Sequence, residues 1–424
     1  MSINNKIKLA IIGAGSSYTP ELIEGLSTIR DELPVKEIVL MDIDEKRLNT
    51  MSSFCKRFVN YLNYDVKIEA TTDRIKAITN ATFIIIQIRV GGNKARVNDE
   101  KIPLKYGIIG QETTGPGGFM KALRTIPVMI DITEEISKYN PDAWVINYTN
   151  PSGVVTEAVT RYTKAKFVGL CAGGMRPQWR TAEALKVNEE SVRYDYVGLN
   201  HMNFAYNISV DGRLINDEEF AKVARKVESV DSGLIEKLHL IPSSYMQYYF
   251  HTSHKLEMLK SAKLLRSEEV LMLEKQLFEA YENPNQVTIP DILLKRGGGG
   301  YSKVALGVAE AIYNNKDKWM VVNVPNNGAI RILPDDAVIE TGCIINKAGI
   351  KPLVVNQIPE TVWGLICAVK NYERLTIKAA MSGDKDIALF ALLAHPLVRD
   401  YDIARPMLDE LLEANKNYLP QFSF

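Results

Sequence analysis

Residues 8–22 read KLAIIGAGSSYTPEL, and this stretch decides the fold. Its first five residues form an apolar run that is typical of a buried parallel strand. Its last four residues suit the start of a helix, with threonine at the N-cap and proline at the first helical position. A glycine-rich turn between such a strand and such a helix is typical of dinucleotide binding, because the backbone can approach a pyrophosphate there. We therefore expect Gly13, Gly15 and Ser16 to contact a dinucleotide.

The turn departs from the full GxGxxG fingerprint at one place. Tyr18 occupies the position of the third glycine. The next apolar strand, at 37–41, is followed by Asp42, as the fingerprint requires. An acid there binds the ribose 2′-hydroxyl and disfavours a 2′-phosphate, so the sequence predicts NAD rather than NADP. An ordinary strand-to-helix turn is the alternative.

Three further apolar runs, at 83–87, 143–147 and 166–170, are separated by helical segments. This alternation predicts an α/β fold with a Rossmann-like, doubly wound parallel sheet. After about residue 190 the pattern changes to an Asp-Gly hairpin and long amphipathic helical stretches. We expect a dinucleotide-binding domain over 1–190 and an α+β domain, for substrate, metal and subunit contacts, over 191–424.

The composition excludes several classes of function. The chain has 424 residues, 46% hydrophobic and 24% charged, which suits a large folded core. Lys+Arg and Asp+Glu both number 51, so no overall field favours nucleic acid or an anionic membrane as a partner. No stretch is apolar for long enough to span a bilayer, and the N-terminus lacks the pattern of a signal peptide. The 4 cysteines are widely spaced with no disulfide framework, so we expect a reducing cytoplasm.

Two residues suggest a metal site. Cys171 directly follows the fifth predicted strand, and His201 lies further along the chain. A thiolate and an imidazole suit a borderline divalent metal. Asn147 and Asn150 also follow a strand, and ligands bind at the carboxyl ends of the strands in an open α/β sheet. Spacing alone leaves the alternative open, because an isolated cysteine is commonly a small core residue and an isolated histidine a structural one.

Three other segments carry polar or aromatic candidates. Arg89 and Arg96 flank a Gly-Gly pair, and arginine suits bidentate binding of phosphate, although a solvated loop arginine is the alternative. Residues 110–119, GQETTGPGGF, indicate a loop that wraps a ligand, or else a long structural turn. The aromatic segment 241–250 is explained by packing unless a cation lowers the pKa of a tyrosine enough for it to act as a base.

Together these segments resemble the NAD- and metal-dependent glycosidases of glycoside hydrolase family 4, especially its 6-phospho-β-glucosidase branch. The matching stretches are 13–22, 89–92 with Arg96, 110–119, 147–153, 198–201 and 324–330. This family is an exception among glycosidases, most of which use two carboxylates. The resemblance implies that NAD+ removes hydride from C3 of the sugar, that a tyrosine then removes the C2 proton, and that the glycosidic oxygen leaves by elimination. Water then adds, and the hydride returns to the sugar.

The resemblance also implies roles for particular residues. Cys171 and His201 are implied as ligands of Mn2+ or another divalent metal, and Tyr245 as the base at C2. A metal would lower the pKa of a neighbouring tyrosine, and its thiolate ligand would have to stay reduced. The resemblance further implies a homodimer or homotetramer.

The substrate is implied to be a small phosphorylated glycoside. Arg96 is implied as a contact to its phosphate, Asn150 as a contact to the sugar, and Arg296 as a further substrate contact. One departure concerns this substrate. The branch has an asparagine after the metal cysteine, whereas this chain has Ala172, which offers no side-chain hydrogen bond to a sugar; Arg176 is a candidate to compensate.

The leading hypothesis is hydrolysis of 6-phospho-β-glucosides. The same mechanism on a galacto-configured, unphosphorylated or otherwise acidic glycoside is the first alternative. An NAD-dependent 2-hydroxy acid dehydrogenase is the second, because the lactate and malate dehydrogenase superfamily has the same sheet; it would produce NADH and need no metal. A redox-sensing, NAD-binding regulator without turnover is the third.

Overall fold

The computed structural model describes residues 7–297, 299–355 and 357–424. The N-terminal residues 1–6, on which the absence of a signal peptide was predicted, lie outside the described residues. The strands are β1 (Ile7–Ile12), β2 (Val35–Met41), β3 (Lys67–Thr71), β4 (Phe83–Ile86), β5 (Trp144–Asn147), β6 (Lys166–Gly169), β7 (Val192–Leu199), β8 (Met202–Val210), β9 (Arg213–Leu214), β10 (Ile241–Pro242), β11 (Lys318–Pro325), β12 (Val338–Asn346) and β13 (Gly349–Pro352).

The helices of the first half are α1 (Thr19–Thr28), α2 (Glu45–Tyr61), α3 (Arg74–Ile78), α4 (Gly92–Lys105), α5 (Gly115–Tyr139), α6 (Ser152–Tyr162) and α7 (Arg176–Leu185). Those of the second half are α8 (Asp217–Ala224), α9 (Ser232–Leu238), α10 (Gln247–Phe250), α11 (Thr252–Ser261), α12 (Arg266–Glu282), α13 (Ile292–Lys295), α14 (Tyr301–Tyr313), α15 (Glu360–Ser382), α16 (Lys385–Ala394) and α17 (Tyr401–Asn415). None of these helices combines the length and apolarity that crossing a membrane requires.

A nine-stranded sheet forms the centre of the molecule, in the order β13-β12-β11-β6-β5-β4-β1-β2-β3. Strands β1 to β6 pair in parallel. Their order is that of a doubly wound Rossmann sheet, with the reversal between β1 and β4. The predicted α/β class and Rossmann-like sheet are confirmed. The sequence did not predict β3, because its residues KIEAT are mostly half-buried at the sheet edge and show no apolar run.

The second half of the chain contributes strands to the same sheet. Strand β11 pairs antiparallel with β6 through Asn323 and Gly169, and β12 and β13 continue outward in antiparallel order. The predicted boundary at residue 190 falls in the short turn Glu189–Ser191 before β7. Division of the chain at that point stays a prediction, since the central sheet takes strands from both sides of it.

A smaller antiparallel sheet contains β10, β8 and β7, with β9 paired to β8. The hairpin between β8 and β9 turns at Asp211 and Gly212, whose φ angles of 48° and 79° match a two-residue hairpin turn. The opposite turn, between β7 and β8, carries His201. Strand β7 lies against β12 of the central sheet, so this second turn reaches the edge where the parallel strands end.

Candidate functional site

A cavity of about 1030 Å³ opens at the carboxyl ends of the parallel strands. Ligands bind at this edge in doubly wound sheets. The residues predicted for the site that line the cavity are Gly13, Gly15, Ser16, Asp42, Arg96, Asn150, Tyr245 and Arg296. The sequence thus identified residues that are distant along the chain and adjacent in space.

The glycine turn and the predicted ribose-binding acid are in direct contact. Gly13 has a φ of 87°, which favours glycine, and its N–H donates to the Met41 carbonyl at 2.9 Å. The Gly15 N–H donates to Asp42 Oδ2 at 2.8 Å. A Cβ on Gly15 would lie 2.8 Å from that same oxygen, so the position has no room for a side chain. Turn and acid form one preorganised unit.

A carboxylate from the second half of the chain, Glu274 on α12, lies over this turn. It accepts from Asn93 Nδ2 at 2.7 Å and pairs with Arg47 and Arg296, each at 3.3 Å. Burial opposes its ionisation, but the two arginines outweigh burial and lower the pKa of Glu274. Arg296, predicted as a substrate contact, also lies 4.9 Å from the centre of the Tyr18 ring. These partners place Arg296 beside the glycine turn of Gly13 and Gly15. Contact of Arg296 with the substrate stays a prediction.

A cationic cluster surrounds Glu112 at another wall of the cavity. Glu112 accepts from Arg89 Nη1 at 2.6 Å and from Lys121 Nζ at 3.1 Å, and Arg96 Nη1 lies 3.4 Å away. Arg96 also donates to Glu100 at 2.7 Å. With Lys121 protonated, three cations face two carboxylates, and the net charge is positive. Such a cluster suits a phosphate dianion.

The cluster sets unusual pKa values for the half-buried Glu112 and the buried Lys121. Burial opposes ionisation of Glu112, but the charges of Arg89, Lys121 and Arg96 outweigh it and hold its pKa well below the usual range. Burial, reinforced by Arg89, lowers the pKa of Lys121 to about 7. An anion that entered the cluster would favour the protonated lysine.

The segment 110–119, predicted as one loop, is a loop only as far as Thr114, because helix α5 begins at Gly115. It supplies side chains to the cavity more than backbone donors. Gln111 Oε1 accepts from the backbone N–H groups of Thr113 and Thr114, both at 2.7 Å, so these donors are used within the loop. Two of its glycines serve packing: a Cβ on Gly110 or on Gly117 would lie within 2.2 Å of a backbone oxygen. Gln111 and Glu112 line the cavity.

The predicted metal ligands meet although they come from different sheets. Cys171 Sγ lies 3.5 Å from His201 Nε2. Thr113 Oγ1 has one hydrogen and donates it to Gln111 at 3.0 Å, so it accepts from His201 Nδ1 at 2.9 Å. This bond fixes the tautomer in which the Nε2 lone pair faces the sulfur, as in the outer-shell contacts of metal-bound histidines. Burial lowers the pKa of His201 to about 3, which keeps the imidazole neutral.

The pair fits a divalent cation. With bond lengths of about 2.3 Å to sulfur and about 2.1 Å to nitrogen, interligand angles of roughly 90° to 110° separate the two atoms by about 3.1 to 3.6 Å. Within the described residues, no group of three or more His, Cys, Asp or Glu side chains could hold a metal. Cys171 and His201 would therefore leave most coordination positions to substrate or water oxygens.

Tyr245 covers this pair from the cavity side. Its ring is stacked on the His201 imidazole, with centroids 3.6 Å apart and planes at 8°. Tyr245 belongs to the described lining of the cavity, whereas Cys171 and His201 do not. Burial raises the pKa of Tyr245 well above its ordinary value. A cation beside the phenol would oppose that shift.

Matches to known families cover most of the chain. The model of the family 4 glycosyl hydrolases matches residues 8–187, and that of the family 4 glycosyl hydrolase C-terminal domain matches residues 196–398. The chain belongs to glycosyl hydrolase family 4. The resemblance predicted from the sequence motifs is confirmed.

Individual family 4 relatives are similar over their whole length. A probable 6-phospho-beta-glucosidase of Bacillus subtilis is 43% identical, over 98% of both chains. A solved structure of the 6-phospho-beta-glucosidase from Thermotoga maritima, with manganese, NAD+ and glucose-6-phosphate, has a TM-score of 0.90 at 37% identity and covers 97% of this chain and 99% of its own. Malate dehydrogenase from Plasmodium falciparum has a TM-score of 0.54 at 15% identity, covering 90% of this chain and 99% of its own, and shares the fold alone.

This family 4 site contains a buried acceptor without a partner among the described residues. Asn150 Oδ1 is buried and accepts no hydrogen bond from the described residues. Buried polar atoms are rarely left unpaired, so this atom suits a ligand hydroxyl. Ala172 is buried in the turn Ala172–Met175, and Arg176, proposed to compensate for it, is exposed and outside the described cavity lining.

Sequence reasoning missed three charged groups of the family 4 site. Glu112 lies in the loop at 110–119, where the density of small and polar residues was a usable signal. Lys121 and Glu274 lie within helices α5 and α12, where a charged residue is ordinary, so no local signal marked them.

Proposed function

We propose that this family 4 enzyme hydrolyses 6-phospho-β-glucosides and depends on NAD+ and a divalent cation, for which Mn2+ is the first candidate. The observation that carries the proposal is one cavity that joins a dinucleotide turn, a cationic cluster and a tyrosine stacked on a cysteine–histidine pair. The 6-phospho-beta-glucosidases among its relatives support the same substrate.

Different residues of the site would bind the dinucleotide and the cation. Gly13, Gly15, Ser16 and Asp42 would hold the dinucleotide, and Cys171 and His201 would hold the cation. When bound, NAD+ accepts hydride from C3 and later returns it, while the cation polarises the oxidised sugar. The overall reaction is then a hydrolysis without net consumption of the dinucleotide.

Tyr245 is the proposed acceptor of the C2 proton. Its phenol is buried, so its pKa is raised and the neutral form is favoured in the free chain. Its ring lies on His201, and positive charge held at the cysteine–histidine pair would therefore be close enough to favour the phenolate. A cation held by Cys171 and His201 would thus favour the basic form of Tyr245.

The cationic cluster around Glu112 is the proposed binding site for the 6-phosphate. Arg96 and Lys121 are buried, Arg89 is half-buried, and all three share Glu112. The phosphate would therefore meet charges that Glu112 already holds in place, two of them largely desolvated. Charge-assisted hydrogen bonds are strong under those conditions. The unpaired Asn150 Oδ1 is the proposed acceptor of a sugar hydroxyl.

The proposal extends to a cytoplasmic homodimer or homotetramer without a membrane or nucleic-acid partner. Ala172 favours one second candidate, the same chemistry on another phosphorylated glycoside. Its methyl group leaves the neighbourhood of Cys171 without the amide that the 6-phospho-β-glucosidase branch has there.

Release of nitrophenol from nitrophenyl 6-phospho-β-glucoside tests the function. We expect turnover only when NAD+ and Mn2+ are both present, loss on chelation, and recovery when Mn2+ is returned. The galacto-configured phosphate and the unphosphorylated glucoside are the matched controls for configuration and phosphate. Equal turnover without NAD+ or without metal would refute the proposal.

A further inference from the structure

A buried carboxyl group connects the two sheets behind the Cys171–His201 pair. It belongs to Glu340 on β12, which is 1% exposed. Its two oxygens accept four hydrogen bonds from side chains of both sheets. The donors are Asn200 Nδ2 at 3.1 Å, Asn323 Nδ2 at 3.0 Å, Asn203 Nδ2 at 2.6 Å and the Tyr196 hydroxyl at 3.4 Å.

These donors connect to the two predicted metal ligands by short routes. Asn323 pairs with Gly169, the last residue of β6, and also donates to its carbonyl at 3.3 Å; Cys171 follows two positions later. Asn200 immediately precedes His201 in the β7–β8 turn. One side chain therefore links the strand that presents the sulfur to the turn that presents the imidazole.

The turn needs an external restraint. His201 has a φ of 67°, a left-handed conformation that is unfavourable for a residue with a Cβ. The turn is also closely packed, because a Cβ on Gly198 would lie 2.1 Å from the Met202 carbonyl oxygen. Strained backbone persists where surrounding contacts hold it, and Glu340 supplies such contacts through Asn200 and Asn203.

We infer that Glu340 is a positioning residue of the cation site, holding His201 Nε2 opposite Cys171 Sγ. The inference rests on the proposed function, in which this pair binds the cation. Removing the carboxyl group would leave Asn200 without an acceptor, while Asn203 and Asn323 would keep only their bonds to the Leu199 and Gly169 carbonyls. Unpaired buried donors are costly, so the turn would move to find partners. Contacts of this kind behind metal ligands change metal affinity by about 10- to 100-fold.

Titration of the metal-free protein with Co2+ tests the inference without turnover, because a thiolate–cobalt bond has its own charge-transfer absorption. Glu340→Gln keeps the shape of the side chain but replaces one carboxylate oxygen by an NH2 group, which would face the donors that now bind Glu340. We expect its Co2+ dissociation constant to rise about 10- to 100-fold and the absorption band to change. Glu340→Asp, which retains the carboxylate, should recover much of the affinity. Glu310→Gln is the matched control, since Glu310 is a buried carboxylate that pairs with Lys316 and Lys318.

Circular dichroism and thermal unfolding establish that each variant is folded. If Glu340→Gln does not fold, Asn203→Ala takes its place; it removes the bond to Glu340 and the bond to the Leu199 carbonyl at 3.0 Å, and we expect a rise of about threefold to tenfold. Wild-type affinity and absorption in the Glu340→Gln variant, or in Asn203→Ala where that replaces it, would overturn the positioning role. An equal loss in Glu310→Gln would overturn it too. Absence of a cobalt–thiolate band in the wild-type protein would instead contradict the proposed cation site.

Discussion

Arg96 shows how one buried side chain can serve both the fold and a ligand. Its Nε donates to Glu100 at 2.7 Å, whereas its Nη1 is 3.4 Å from Glu112. The first contact fixes the side chain along α4, and the second is loose enough to be exchanged for a phosphate oxygen. The planar guanidinium has five donors, so both roles are compatible.

Replacing Arg96 by alanine should affect phosphorylated substrates selectively. We expect kcat/KM for the phosphorylated glucoside to fall about 10- to 100-fold, the equivalent of one or two hydrogen bonds to a charged group. The value for the unphosphorylated glucoside should change less than about threefold. Arg213→Ala, which removes an exposed arginine paired with Glu219, is the control and should leave both values unchanged. Equal losses on both substrates would refute the phosphate contact.

Where the signal is local, the sequence indicated which residues lie together at the edge of the sheet, while their roles stay predictions. Gly13, Gly15 and Asp42 follow buried strands in a fixed order, and a parallel sheet brings strand ends together. Glu274 and Glu340 gave no such signal, because each acts through partners from distant segments. Glu274, for example, pairs with Arg47, which is 227 positions away. Only the folded chain reveals that relation.

At the scale of elements, the β1–α1 turn is the most constrained part of the site. Ala14 N–H and Gly13 N–H both donate to the Met41 carbonyl at 2.9 Å, which ties the turn to the end of β2. The Arg47 side chain of α2 adds a bond to the Gly15 carbonyl at 3.0 Å. The turn is thus fixed from two neighbouring elements before a dinucleotide binds.

A side chain on this turn should disturb the cofactor site. In Gly15→Ala the new Cβ would lie 2.8 Å from Asp42 Oδ2, so the carboxylate must move. We expect NAD+ affinity, measured by calorimetry, to fall about tenfold, with a loss of about 1 to 3 kcal/mol in unfolding free energy from overpacking.

The control for this variant is Gly364→Ala on the exposed face of α15. A Cβ there meets nothing within 4 Å. Alanine should therefore raise the free energy of unfolding by about 0.5 to 1 kcal/mol through helix propensity and leave NAD+ affinity unchanged. Wild-type NAD+ affinity in Gly15→Ala would contradict the assigned role of the turn.

Strands that form continuous apolar runs could be predicted from the sequence, and strands without such runs could not. The parallel strands β1, β2, β4, β5 and β6 are buried on both faces and show as apolar runs. Strands β11 to β13 were not predicted individually, because the sequence analysis assigned their residues only to an α+β domain. Their antiparallel addition to β6 depends on a pairing between segments more than a hundred residues apart, and hydrophobic pattern alone does not specify partners.

At the scale of the whole molecule, the two halves of the chain share both the central sheet and the cavity. The dinucleotide turn and the cationic cluster come from the first half, whereas Glu274, Arg296 and Tyr245 come from the second. The same folding that extends the sheet through β11 thus assembles the site. Loss of overall stability and loss of the site should occur together.

Acid stability of the whole molecule should depend in part on His395, a buried histidine whose pKa is lowered like that of His201. His395 is 1% exposed, accepts from the Leu397 N–H at 3.2 Å, and lies 3.3 Å from the Tyr249 hydroxyl. Burial lowers its pKa to about 3 from an ordinary value of 6.5. Between these pH values the unfolded chain binds the extra proton, so the free energy of unfolding decreases as pH falls from 6.5 toward 3.

We expect the stability of His395→Gln to decline less steeply over that range. Between pH 7 and pH 4.5, the wild-type protein should lose about 2 to 3 kcal/mol more unfolding free energy than the variant, as measured by urea unfolding of both proteins. His254→Gln removes an exposed histidine of α11 and should follow the wild-type curve. Parallel curves for wild type and His395→Gln would contradict the buried neutral state of His395.

If glycoside cleavage proceeds by proton removal at C2, as proposed, the hydrogen at that carbon exchanges with solvent during turnover. The reaction is run in D2O with NAD+, Mn2+ and nitrophenyl 6-phospho-β-glucoside, and the sugar product is analysed by NMR and mass spectrometry. We predict deuterium at C2 of the released sugar phosphate, and strongly reduced incorporation and turnover with Tyr245→Phe. A product that retains its original hydrogen at C2 at full turnover would contradict proton removal at that carbon.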